Sequence, residues 1–228
     1  MALSRTNAVA TASNITSGSL PAFTTTVNVG DIIVACGVWR DTSLSYGFSD
    51  NVNSGAYTAI PNFPITYANS WICGIYYKVA NASGTPTITP SAYGVNGVWA
   101  IGASYSGFPA TPTIVANDQA FNSAASGTAL SAGPFSASTS NQVAMCFESS
   151  NSSVTSDSMG AIFGTPRIVA TGAQLRMWDS LGTTPGGITS GTSVSASGTL
   201  TGSSGWGVTI IGISPTVSVN SILAWING

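Results

Sequence analysis

Two runs constrain the fold more than any other part of the chain. Residues 98–105 read Val-Trp-Ala-Ile-Gly-Ala-Ser-Tyr between Asn96-Gly97 and Ser106-Gly107. Residues 206–213 read Trp-Gly-Val-Thr-Ile-Ile-Gly-Ile between Ser204-Gly205 and Ser214-Pro215. Trp99, Ile101, Ala103 and Tyr105 share one parity, so a pleated strand puts all four on one face. Each run opens on Gly and Trp and closes on a stop built from Gly or Pro, which identifies them as corresponding strands of two halves.

The rest of the chain follows this plan. Ile32 to Trp39 is apolar at both parities and belongs in the middle of a sheet covered on both sides. Pro21 to Val29 alternates and is rich in β-branched residues, which predicts a strand. Ser70 to Ala80 is a further strong strand, while Pro86 and Pro90 push Thr85 to Pro90 towards an edge. No segment shows a capped helical period. Short strands at regular spacing, broken by Gly, Pro and Asn, predict an all-β fold, an antiparallel β-sandwich of the jelly-roll or immunoglobulin-like kind.

After Gly-Phe-Pro-Ala-Thr-Pro at 107–112 the order of features repeats. Trp99 and Trp206 lie 107 residues apart, as do Asp50 and Asp157, and Cys36 and Cys146 lie 110 apart. Gln142 to Glu148 answers Ile32 to Trp39, Arg167 to Ala170 answers Ala56 to Ile60, and Gln174 to Ser180 answers Ser70 to Ala80. This regularity implies duplication. The expected division is an N-terminal arm or edge strand at 1–20, a sandwich at 21–215 with half-repeats at about 21–107 and 113–215, and a tail at 216–228. The economical arrangement interleaves both halves in one domain.

Several residues in this succession carry a family resemblance. They are Phe23-Thr-Thr-Thr-Val-Asn-Val-Gly-Asp-Ile-Ile-Val-Ala, then Phe48-Ser-Asp-Asn with Gly55-Ala-Tyr-Thr, then Trp71 to Ala80. Asp118-Gln119, Asn141-Gln-Val-Ala and the Trp206 strand continue it. Over roughly residues 22–213 the chain resembles a loosely defined, duplicated β-sandwich family of bacteriophage virion proteins and bacterial secreted proteins. The resemblance implies an adhesive or architectural module and carries over no catalytic residue. Met1-Ala2-Leu3-Ser4-Arg5-Thr6 has no basic segment followed by an apolar core, so no signal peptide is expected. That departure from the secreted members favours the virion members.

Charge narrows the function further. Of 228 residues only 5% are charged, with a net charge of −2 and no histidine. Such a surface offers little electrostatic protection against self-association and suits a protein covered by neighbours. Arg5, Arg40, Lys78, Arg167 and Arg176 are too scattered for a phosphate-binding patch, so no nucleic acid is expected. The Ile32 to Trp39 run is too short to span a bilayer as a helix, so no membrane is expected either.

Without histidine the usual triads and most zinc sites fall away. The acidic residues sit at turns and strand ends, where Asp caps backbone N–H groups. No enzyme activity, cofactor or metal is therefore expected. Asp50-Asn51-Val52-Asn53-Ser54-Gly55 spaces oxygens in the manner of a calcium loop, yet lacks the acids and closing Glu of an EF-hand; it reads as a turn. Cys36, Cys73 and Cys146 lie inside strand patterns as buried thiols.

Two contact surfaces remain as expectations. Val217, Val219, Ile222, Leu223, Trp225 and Ile226 make the tail apolar, a candidate assembly contact that adds to a neighbour's sheet, with docking on the chain's own sheet as the alternative. Tyr46, Tyr57, Tyr67 and Tyr93 lie near loops and are candidates for an exposed platform for a surface glycan. Trp39, Trp71, Trp99, Trp178 and Trp206 are assigned to the core. The expected role is a non-enzymatic virion structural protein made in the bacterial host cytoplasm, a capsid decoration or cement protein or else a tail component. Its partners would be copies of itself and a major capsid protein or tail proteins; a carbohydrate-binding module or adhesin is the alternative.

Overall fold

A computed structural model of the chain describes residues 3–11, 14–40, 45–68, 70–93, 96–108, 113–150, 159–164, 168–170 and 175–214. The described residues are all-β, and every strand pair is antiparallel. The first strands are β1 (Ser4–Ala10), β2 (Ile32–Trp39), β3 (Phe48–Asp50), β4 (Thr58–Ala59), β5 (Ile65–Thr66), β6 (Ile72–Val79), β7 (Ile88–Pro90) and β8 (Val98–Ser106). They are followed by β9 (Thr113–Ala124), β10 (Ala129–Ser136), β11 (Val143–Ser150), β12 (Ile168–Ala170), β13 (Leu175–Asp179), β14 (Ser193–Thr199) and β15 (Trp206–Ser214). A 3-10 turn at Ser180–Gly182 is the sole helical element among the described residues, started by Asp179 Oδ1 accepting the Leu181 N–H at 3.1 Å.

Two large sheets result. One has the order β1-β8-β2-β6-β4, with β5 also on β6; the other has the order β12-β13-β11-β15-β9. Read from opposite ends, they match: in each, the strand that opens the sheet in sequence pairs with the strand that closes it. The strands of the two halves do not alternate within a sheet: the first large sheet draws its strands from residues 4–106 and the second from residues 113–214, while the apolar cluster between them is drawn from both. Residues 4–10 form an edge strand, with a bulge at Thr6 where the register with β8 slips.

Burial explains why β2 is apolar at both parities. Ile32, Val34, Cys36 and Val38 join one apolar cluster with Ile75, Ile101 and Ala103 of the first sheet and Met145, Phe147, Met177 and Ile211 of the second. Ile33, Ala35 and Trp39 point the other way, into a cluster with Leu20, Phe23, Phe48 and Ile88. The second sheet is likewise covered on its far face, where Cys146, Trp178, Trp206 and Ile210 meet Leu130 and Phe135 of β10 and Val194 and Ala196 of β14. Each Val, Leu, Ile, Phe or Met among them, fully buried, contributes about 1.5–3 kcal/mol. The five tryptophans assigned to the core are all buried, as are the three free cysteines.

Three local expectations need correction. Pro21 to Val29 is not a regular strand: Leu20, Phe23 and Val27 donate their N–H groups to Ile88, Pro86 and Gly84 at 2.8, 3.1 and 2.8 Å. Eight residues on one side thus span five on the other, a mismatch that no continuous ladder accommodates. Trp99 and Trp206 are not equivalent either, because Trp99 faces the cluster shared by the two sheets while Trp206 faces the outer one. Cys36 and Cys146 differ in the same way. Ile32 pairs with Tyr105 as Val143 pairs with Ile213, so the halves align one residue away from both proposed matches. Asp157 lies outside the described residues.

Candidate functional site

Among the described residues the acidic side chains serve the fold. Asp31 Oδ2 accepts the Asn28 N–H at 2.8 Å, closing its turn. Asp50 Oδ1 accepts the N–H groups of Val52 and Asn53 at 2.8 and 2.6 Å, and its Oδ2 accepts the Tyr57 hydroxyl at 2.9 Å. In the same loop, Asn53 Oδ1 accepts Asn81 N–H at 2.9 Å and Asn51 Oδ1 accepts Thr87 N–H at 2.8 Å. The oxygens that a calcium ion would need are directed at protein donors, so this loop is a structural turn. Asp118 Oδ2 takes the Ser138 N–H at 3.1 Å and also the Gln142 amide.

Two ionic contacts were not foreseen from the sequence. Arg5 on β1 reaches across to Asp179 at the end of β13, with Nη1 to Oδ2 at 2.9 Å, and Tyr105 donates its hydroxyl to the same oxygen at 3.4 Å. Leu3, Ser4, Arg5, Asp179, Leu181, Gly182 and Pro185 line an open cleft of about 230 Å³ beside this pair. On the outer face of the second sheet, Arg176 Nη1 donates to Glu148 Oε2 at 2.5 Å, both side chains being buried. Burial pushes the Glu148 carboxyl above its ordinary value, an effect that Arg176 and the Ser150 hydrogen bond only partly offset. Glu148 Oε1 and the indole N–H groups of Trp178 and Trp206 have no partner among the described residues. None of these arrangements pairs a nucleophile with a base.

The glycan platform expected at four tyrosines does not form as an exposed surface. Tyr57 is 6% exposed and Tyr67 2%, their hydroxyls held by Asp50 and by Thr209 Oγ1 at 2.8 Å. Tyr46 is half-buried with its ring 5.0 Å from that of Trp39, and Tyr93 donates its hydroxyl to the Gly18 carbonyl. Burying a large ring while bonding its one polar atom is more favourable than leaving it in water, which overrides the loop context. The flat aromatic pair that does exist is Trp71 and Trp99, stacked at 5.9 Å and 13°, with the Arg40 guanidinium 4.5 and 5.0 Å from the two ring centroids. At 5% and 7% exposure these rings are core residues with a cationic cover.

What the described surface does offer is an edge. β9 is the last strand of its sheet, and no other strand pairs with its free side among the described residues. Phe121, in this strand, is 56% exposed. The sequence signal for it is a bulky apolar residue set among polar ones, Asp118-Gln119-Ala120-Phe121-Asn122-Ser123. The tail residues Val217, Val219, Ile222, Leu223, Trp225 and Ile226 lie outside the described residues.

No helix among the described residues is long and apolar enough to cross a membrane. No family model, curated protein or solved structure matches the chain.

Proposed function

We propose that the chain is a non-enzymatic structural protein of a bacteriophage virion, a capsid decoration or cement protein or a tail component, acting through protein–protein contacts. In this reading it is an antiparallel β-sandwich built from two similar halves, supported by the matching strand orders β1-β8-β2-β6-β4 and β9-β15-β11-β13-β12. The observation that carries the functional part is how the few charged groups are used. Asp31, Asp50, Asp118, Glu148 and Asp179 each accept hydrogen bonds from the protein's own donors. A chain that devotes its carboxylates to turns and ties, on a surface with so little charge, is suited to lasting contact with neighbours.

Residues 216–228 are the proposed contact segment, and copies of the chain and other virion proteins are the proposed partners. A glycan-binding role has lost its expected platform, since Tyr57 and Tyr67 are buried. The test is mass spectrometry and immunogold labelling of particles purified from a lysed culture that carries the gene. The expected result is the chain in stoichiometric copies on the particle. Particles that assemble fully and lack it overturn the reading.

A further inference from the structure

We infer that the free edge of β9 is the acceptor for residues 216–226 of a second copy, each copy giving its tail and receiving its partner's. This rests on the reading of the chain as an assembly component and names the surface that the assembly uses. β9 spans twelve residues and ends its sheet; its register against β15 shifts between Ile114 and Gln119, which leaves residues 119–124 as the regular stretch. An open edge of this kind presents a row of backbone N–H and C=O groups ready for another strand.

The face of the edge is specified by Phe121. It pairs with Thr209, whose hydroxyl meets Tyr67 between the two sheets, so Phe121 stands on the face turned towards the first sheet. Among the described residues only Val29 and Phe121 are large hydrophobics classed as exposed, and Phe121 alone of the two lies on a sheet edge. The incoming segment supplies the complement. Val217, Val219, Leu223 and Trp225 share one parity and would line up on the Phe121 face of the extended sheet. Residues 216–226 extend to about 36 Å at about 3.3 Å per residue, long enough to follow the regular stretch of β9 from end to end.

The position of Ser214 favours a second copy over the same one. Ser214 pairs with Thr113, so the last described residue lies beside the first residue of β9 and on its already paired side. To reach the free side within one chain the tail must cross over β9 and then run parallel to it. A neighbour's tail approaches without that crossing and pairs antiparallel, the more stable arrangement per residue. Reciprocal exchange gives a closed two-fold dimer.

The test uses full-length variants. Phe121→Lys places a charge on the acceptor edge, and Val219→Asp places one in the donor segment. Oligomeric state is read by light scattering over a micromolar concentration series, with circular dichroism and thermal unfolding verifying that each variant is folded. The wild type is expected to dimerise, and each variant to weaken self-association about tenfold or more. An equimolar mixture of the two variants is expected to recover a heterodimer with one intact tail–edge contact, and the double variant to recover none. A monomeric wild type, or variants that associate as it does, overturns the exchange. Binding to purified particles is read in parallel. A monomer that still binds particles overturns the exchange and leaves the virion reading standing, while a tail-linked dimer that never binds them does the reverse.

Discussion

The ring of Tyr67 lies across the backbone of Gly207, so close that a Cβ added at 207 would sit 2.2 Å from ring atom Cδ2. Tyr67 belongs to the loop between β5 and β6 of one sheet and Gly207 to β15 of the other, so the contact fixes the separation of the sheets at one end. Thr209 then takes the hydroxyl and sets how deep the ring enters.

Gly207→Ala should therefore destabilise the protein by about 1–3 kcal/mol, because an inserted methyl in a packed interior forces its neighbour off its rotamer. In a Tyr67→Ala background the same change should cost about 0.5 kcal/mol or less, and the difference is the coupling. Gly102→Ala is the control: its Cβ would meet Ile88 Cδ1, the tip of a flexible side chain that can rotate away. Urea denaturation of the set measures all three.

Glu148 and Arg176 give a pH prediction. The folded carboxyl titrates above its ordinary value of 4.5, chiefly through burial. The folded state therefore holds this proton more tightly than the unfolded state does. Its contribution to stability is fully present below 4.5 and is lost as pH rises through the folded pKa. Relative to Glu148→Gln, the wild type should lose stability as pH rises above about 4 and through the folded pKa, read from denaturation midpoints. Arg176→Met should cost about 3–5 kcal/mol at neutral pH, and less in acid where Glu148 is neutral.

For the Asp50 loop, calcium should leave the melting temperature unchanged. Asp50→Ala should lower stability by about 2–4 kcal/mol, since two backbone N–H groups and the Tyr57 hydroxyl lose a charged acceptor. A calcium-dependent rise in thermal unfolding of the wild type would contradict this.

The thiols should be silent. Burial pushes Cys36 and Cys146 up, which depletes the reactive thiolate, and all three cysteines are buried. Iodoacetamide should leave the native chain unmodified and label three sites in denaturant, counted by mass spectrometry. Rapid labelling of any of the three under native conditions would place that residue in an open region.

How much of this was legible in the sequence depended on how far apart the causes lie. Ile32 to Trp39 announced a central strand because both faces need cover, and that demand is written in eight adjacent residues. The burial of Tyr67 was invisible, because its partner Thr209 is 142 residues away and its own neighbours are loop formers. The matching of Trp99 with Trp206 failed for a subtler reason. A strand has period two, so a displacement of one residue between halves sends the side chain to the opposite face while the surrounding motif looks the same. Phe121 could have been noticed as an apolar residue among polar ones, but only the strand order reveals that it stands on an edge.

Both large sheets are blanketed on their outer sides, the first by the segments around Phe23 and Ile88 and the second by β10 and β14. A binding partner accordingly never meets the pleated face of either large sheet. It meets rims, connecting turns and the outward side of the covering segments, and these can change in sequence without disturbing what lies beneath them. Such a body can be refitted to a new neighbour by altering its margins alone.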